Sequence, residues 1–243
     1  MALQDRFILI TGGARSGKST YAERLAAQLA EPCGGLVTYL ATSQTYDSEM
    51  AARVAAHRAA RPAAWTTVEC PLEVPAAIRE HAAAGAQAGS PASGGPAGPA
   101  VFLLDCVTFW VTNLLFAGGA FGGSTPPEDG YNYAKDLLPA AEERAATERV
   151  ATAVDDLLAA LDETGATLVA VSNEVGLGVV PEYPLARLYR DQLGWANQRL
   201  GRAADRVYFL VAGYALDVKS LAVNAPSADS PSPIDPSSPK ESQ

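Results

Sequence analysis

Two groups of residues have the types and spacing that chemistry requires. The first is "TGGARSGKST", residues 11–20, where Gly12, four residues and then Gly17-Lys18-Ser19 make the pattern of a phosphate-binding loop. Glycines let the backbone curl so that successive N–H groups point inward at phosphate oxygens, and the positive end of a following helix adds to them. In such a loop Lys18 sets its ammonium on the β- and γ-phosphates, and Ser19 offers its hydroxyl to Mg2+. The second group lies in "SEMAARVAAHRAARP", residues 48–62, where Glu49, Arg53, His57 and Arg61 recur every fourth residue. On a helix that spacing keeps them on one stripe, drifting by about 40° per step. A neutral imidazole can attack phosphorus, flanking guanidiniums can neutralise the charge that develops, and the same cations disfavour imidazolium. The stripe equally describes a solvated Arg/His helix face, and residue types alone leave both readings open. His81, in "IREHAAAG", has no comparable company and reads as ordinary surface.

A phosphate loop needs a second carboxylate to hold its metal. Asp105 ends the apolar run "VFLLD", and ligands of open parallel sheets sit beyond the strand ends, so Asp105 is the Mg2+ candidate. Glu69 and Glu174 also end strand-like runs, "TTVE" and "VAVSNE". Each can be a general base, a ribose contact or a solvated carboxylate.

The elements that must position these groups alternate. Strands are expected at 6–11, 36–42, 65–70, 101–106, 166–173 and 206–213, and helices at 19–30, 46–60, near 73–84, from about 132 to 164, and over most of 182–203. Almost wholly apolar strands alternating with helices imply a parallel sheet covered on both faces. The fold class expected is α/β, a P-loop NTPase-type fold with a mostly parallel sheet flanked by helices, as a single domain over 1–221. Two low-complexity stretches, about 84–100 and 117–130, read as surface loops, and the Pro/Ser-rich 222–243 reads as a disordered tail.

Composition narrows the class. A net charge of −9 argues against a nucleic-acid partner, because phosphate backbones demand a basic footprint. The three cysteines, Cys33, Cys70 and Cys106, are far apart with no CxxC, which gives neither a disulfide framework nor a zinc site and fits a reducing cytoplasm. "MALQDR" runs directly into a strand without the look of a signal peptide, and no apolar run approaches the ~20 residues of a membrane span.

"TGGARSGKST", "YLATSQTYDSEMAARVAAHRAARPAAW", "LLDCVTFWVTNLLF" and "VSNEVGLGVVPEYPLARLYRDQLGWANQRL" occur in that order, and together they resemble the bifunctional adenosylcobinamide kinase / adenosylcobinamide-phosphate guanylyltransferase family over about residues 6–219. The resemblance implies two steps, with ATP and GTP as substrates. A nucleoside triphosphate phosphorylates the aminopropanol hydroxyl of adenosylcobinamide; GTP then places GMP on an enzyme histidine with loss of pyrophosphate, and the corrinoid phosphate takes up the GMP. By matching, that histidine is His57. Gly12, Gly13, Ala14, Arg15, Ser16, Gly17, Lys18 and Ser19 would bind the phosphates, with Ala41, Thr42, Ser43, Arg58, Arg61, Glu69 and Asp105 in the nucleotide site. Where the family often has a charged residue or glycine, this chain has Ala59 and Ala60. The resemblance further implies a cytoplasmic homotrimer whose subunits complete one another's sites. It leaves "NEVGLGVVPE" and Arg187, Arg190, Asp191 and Asn197 facing either the corrinoid or a subunit interface. The helix bearing His57 would have to move on GTP binding to reach the α-phosphorus. Two other readings stay compatible with the loop alone: a P-loop kinase or nucleotidyltransferase for another small molecule, and a P-loop switch whose nucleotide is a signal.

Overall fold

The computed structural model describes residues 5–34, 36–44, 62–88, 99–117 and 140–223. Seven strands form one sheet: β1 Phe7–Gly12, β2 Val37–Ala41, β3 Thr66–Glu69, β4 Val101–Asp105, β5 Thr167–Val171, β6 Arg206–Val211 and β7 Tyr214–Asp217, in the order β3-β2-β4-β5-β1-β6-β7. The first six pair in parallel, and β7 returns antiparallel on β6. Ala212 and Gly213, both at positive φ (50° and 84°), make the β6–β7 turn, as a two-residue hairpin loop demands. The helices are α1 Lys18–Ala30, α2 Val74–Ala88, α3 Val107–Phe116, α4 Ala140–Thr164, α5 Pro184–Ala203 and the single turn α6 Val218–Leu221.

The period-2 geometry of strands splits the core in two. Ile8, Ile10, Val37, Tyr39, Leu103, Val169 and Val171 meet Ala22, Leu25 and Ala26 of α1 on one face. Their neighbours Phe7, Leu9, Leu40, Phe102, Leu104, Leu168 and Ala170 meet α2 to α5 on the other, around the fully buried Trp110. Strands buried on both faces cannot alternate polar and apolar residues, hence the near-continuous apolar runs. A functional polar group therefore has to sit at a strand end.

The fold corrects three expectations. The loop expected from 84 is helical as far as Ala88, because alanine and glutamine sustain a helix that one glycine only weakens. Helix α3 is an addition: Val107, Trp110, Val111, Leu114 and Leu115 bury several sides of it, so no single apolar stripe marks it. The short β7 and α6 are additions too, at four residues each. The helix expected over 46–60, the second glycine-rich stretch from 118 on and the tail from 224 lie outside the described residues.

Candidate nucleotide-binding site

The loop from Gly12 to Gly17 joins β1 to α1. At Gly12, φ 150°, a Cβ would stand 2.4 Å from the Leu210 carbonyl oxygen on β6, so only glycine fits. Gly17, φ 96°, begins α1 from the left-handed region that glycine enters without strain. Arg15 takes φ 56° with its side chain exposed. Neighbouring strand ends hold the loop on both flanks. Glu174 donates its backbone N–H to the Gly12 carbonyl (3.1 Å), and Gly213 donates to the Ser16 carbonyl (3.2 Å).

Lys18, 7% exposed, folds back over the loop and donates to the Gly13 carbonyl oxygen at 2.6 Å. Burial holds its ammonium below lysine's usual 10.5, and Cys106 and Asp105 pull it back in part. A cation desolvated without a full counter-charge is one that a phosphate would relieve. The Ser16 Oγ and Thr11 Oγ1 hydroxyls are buried with no hydrogen-bond partner among the described residues, two further polar atoms facing no protein acceptor or donor.

Asp105 ends β4, in register with Val171 on β5 and Ala41 on β2. The Tyr39 hydroxyl donates to its Oδ2 at 2.6 Å, which fixes the carboxylate at the sheet's carboxyl rim. Ser19 follows Lys18 on the first turn of α1 and is partly exposed. One hydroxyl and one carboxylate form an oxygen donor set that suits Mg2+, which keeps waters and substrate phosphates as its other ligands. No group of three or more His, Cys, Asp or Glu among the described residues could hold an ion unaided.

Other expected residues fall differently. Thr42 is fully buried, and its hydroxyl donates to the Cys106 carbonyl (2.7 Å) while accepting the Cys106 N–H (2.8 Å), so it ties strand ends together. Asn113 of α3, 5% exposed, donates to the carbonyls of Thr42 (2.8 Å) and Pro71 (2.9 Å). Ala41 is buried and accepts the Cys70 N–H at 2.9 Å, and Ser43 is half-buried. Glu69 ends the edge strand β3. Four inter-strand steps separate it from β1, about 19 Å, so the fold does not bring Glu69 to the phosphate loop. Glu174 turns its carboxylate onto the N–H of Gly176 (2.6 Å) and closes its own turn. His81 is partly buried on α2. His57, Arg58 and Arg61, with Glu49 and Arg53, lie outside the described residues.

On α5, Asn197 and Arg187 point at the segment after β5. Asn197 accepts the Ser172 hydroxyl (2.6 Å) and donates to the Asn173 carbonyl (3.0 Å), and Arg187 donates to the carbonyls of Pro181 (2.9 Å) and Glu182 (2.5 Å). Arg190 pairs with its neighbour Asp191 at 2.9 Å. Sequence reasoning missed Tyr39 and Asn113. Neither stood out by type, since Thr38 adjoins Tyr39 in β2 and Asn113 shares α3 with Thr108, Trp110 and Thr112. Burial pushes the thiols of Cys70 and Cys106 up to about 12, which removes both as nucleophiles at neutral pH.

The Asn113 bridge yields a stability prediction. Asn113→Leu keeps the branched outline with a larger, apolar side chain, strands the Thr42 and Pro71 carbonyls, and should cost about 2–4 kcal/mol. Urea unfolding should show a lower midpoint at unchanged slope. A loss below about 1 kcal/mol would mean that the bridge holds nothing.

Residues 8–218 match the family model described as cobinamide kinase / cobinamide phosphate guanyltransferase. The chain is 42% identical over 212 residues to the bifunctional adenosylcobalamin biosynthesis protein CobU of Salmonella typhimurium, covering 87% of this chain and 99% of that one. It is 40% identical over 211 residues to the bifunctional adenosylcobalamin biosynthesis protein CobP of Pseudomonas aeruginosa (87% and 96% covered). Identity to the CobU protein of Escherichia coli is 39% over 212 residues (87% and 99% covered). Among solved structures, an ATPase domain aligns with a TM-score of 0.45 at 13% identity, over 85% of this chain and 69% of that one.

Proposed function

The chain belongs to the cobinamide kinase / cobinamide phosphate guanyltransferase family, and from that premise we propose which of its residues carry the two reactions of adenosylcobalamin biosynthesis. The observation that supports the assignment best is the loop itself: Lys18 buried on the Gly13 carbonyl, with the Asp105 carboxylate close enough to shift its proton affinity.

Triphosphate lies along Gly12 to Ser19. Lys18 leaves the Gly13 carbonyl and sets its charge on the β- and γ-phosphates. Ser19 and Asp105 hold Mg2+, which when bound supplies positive charge to the phosphate oxygens. In the kinase step the aminopropanol hydroxyl of adenosylcobinamide attacks the γ-phosphorus, the bond to the bridging oxygen breaks, and nucleoside diphosphate leaves. Transfer through a loose transition state needs positioning and charge more than covalent help. In the second step the neutral imidazole of His57 attacks the α-phosphorus of GTP and expels pyrophosphate, with Arg58 and Arg61 matching the charge. The phosphate of adenosylcobinamide phosphate then displaces the imidazole and gives adenosylcobinamide-GDP. Splitting the transfer at a histidine lets the bulky corrinoid enter after pyrophosphate has gone.

The same reading makes the protein a cytoplasmic homotrimer. Exposed Val211 (49%), Tyr214 (76%), Leu216 (45%) and Leu221 (70%), on the β6–β7 hairpin and α6, support association. No helix among the described residues is long and apolar enough to cross a membrane, and Cys70 and Cys106 are free.

Mass spectrometry of the corrinoid tests the assignment. With GTP and Mg2+, wild-type protein should give adenosylcobinamide phosphate first and its GDP ester afterwards. Asp105→Asn should raise the Mg2+ needed for half-maximal phosphorylation by about tenfold or more. Unmodified corrinoid, or an unchanged Mg2+ requirement in the variant, would contradict these roles.

A further inference from the structure

Within seven residues of the segment after β5, four apolar side chains face solvent: Leu177 (83% exposed), Val179 (95%), Val180 (62%) and Tyr183 (44%). This is unusual for a segment that is braced from below. Glu174 closes its first turn on Gly176 N, Asn197 holds Asn173, and Arg187 holds the Pro181 and Glu182 carbonyls, so the backbone is fixed while the side chains project. An apolar surface kept rigid and uncovered is a surface for something else.

Its position says for what. Ser172 N–H donates to the Ile10 carbonyl (2.8 Å) and Glu174 N–H to the Gly12 carbonyl, which continues the β5–β1 pairing to the first residue of the phosphate loop. In the strand order β5 stands between β1 and β4, so the segment leaves the sheet between the phosphate loop and Asp105. A hydroxyl that accepts the phosphate held by Lys18 must enter over this rim, and the rest of the acceptor must rest beside it. From Val175 to Pro181 the side chains carry no charge and no hydrogen-bonding group, so they suit neither phosphate nor a guanine edge. They suit a broad ring with largely apolar faces.

We propose that Leu177, Val179, Val180 and Tyr183 form the platform on which the corrin ring of adenosylcobinamide lies while its aminopropanol arm reaches the phosphate loop. The assignment rests on the kinase reading and adds to it the residues that select the acceptor. A second copy of the chain is the competing occupant, and the β6–β7 hairpin offers a separate apolar surface for that purpose.

The test is the triple variant Leu177→Ser/Val179→Ser/Val180→Ser beside the conservative Leu177→Met/Val179→Ile/Val180→Leu. Calorimetry on protein saturated with a non-hydrolysable GTP analogue measures adenosylcobinamide binding without turnover. The serine variant should bind adenosylcobinamide at least about tenfold more weakly. Its affinity for the GTP analogue and its light-scattering mass should match wild type, and the conservative variant should bind the corrinoid within about twofold of wild type. Unchanged corrinoid affinity in the serine variant would overturn the proposal. So would a fall in assembly mass, which would make the segment a subunit contact. Formation of a covalent nucleotide adduct on His57 needs no corrinoid, so the failure of either assignment shows on its own.

Discussion

Lys18→Ala should abolish both reactions, with kcat/KM for the triphosphate lower by at least about a hundredfold to a thousandfold in the kinase step and in enzyme guanylylation alike. The expectation rests on where the ammonium sits. Lys18 is buried, donates to the Gly13 carbonyl at 2.6 Å, and through that burial has a proton affinity below the usual 10.5. Releasing it onto phosphate exchanges a poorly compensated charge for a compensated one, and alanine cannot do this. Since the native cation is held against its own desolvation, its removal should leave the fold intact, and the thermal midpoint should change little. Lys18→Arg should rescue poorly, because a planar fork does not fit where a compact point charge reaches through a glycine loop. A depressed pKa gives the pH direction as well. Below it the free enzyme carries the charge; as pH rises through it the charge goes, so kcat/KM for triphosphate should fall on the alkaline side before an ordinary lysine would titrate. A variant with intact guanylylation and lost kinase activity would show that the two steps do not share this loop.

His57→Ala should separate the activities. With no nucleophile at that position, production of adenosylcobinamide-GDP should drop by at least about ten-thousandfold, the scale of losing a covalent catalyst, while phosphorylation of adenosylcobinamide stays within about threefold. Adenosylcobinamide phosphate should therefore accumulate in the variant, which a corrinoid mass spectrum reads directly. The asymmetry follows from chemistry: γ-phosphoryl transfer uses charge and alignment at the phosphate loop, whereas α-phosphorus transfer is assigned to an imidazole. Loss of both activities together would make His57 structural, and loss of neither would return the Glu49–Arg61 stripe to a solvated helix face.

How much of this was legible depended on how local each feature is. The phosphate loop was plain, because Gly12 and Gly17 must take backbone angles that other residues resist, and both the strand before and the helix after are written in adjacent residues. Asp105 was plain for a similar reason, as the charged end of a run too apolar for anything but a buried strand. The bonds that aim these groups were not: Tyr39 reaches Asp105 across 66 residues, and Asn113 reaches Thr42 across 71. Thr42 shows the consequence. The family resemblance placed it in the nucleotide site, and the fold adds that its hydroxyl joins β2 to the start of α3, a bond to a residue 64 positions away. The place of Glu69 in the sheet was equally hidden, since only the strand order reveals that β3 is an edge. Helix α3 stayed hidden because burial on several sides erased its period, and β7 because four residues are too few to show one.

One adduct tests the histidine relay most directly. Wild-type protein incubated with GTP labelled at the α-phosphate and Mg2+, then denatured and digested, should carry label on the peptide containing His57. The linkage should be acid-labile and alkali-stable, and absent from His57→Ala. Label on another side chain, or a corrinoid that acquires GMP while the protein carries none, would contradict the relay and leave direct transfer from GTP in its place.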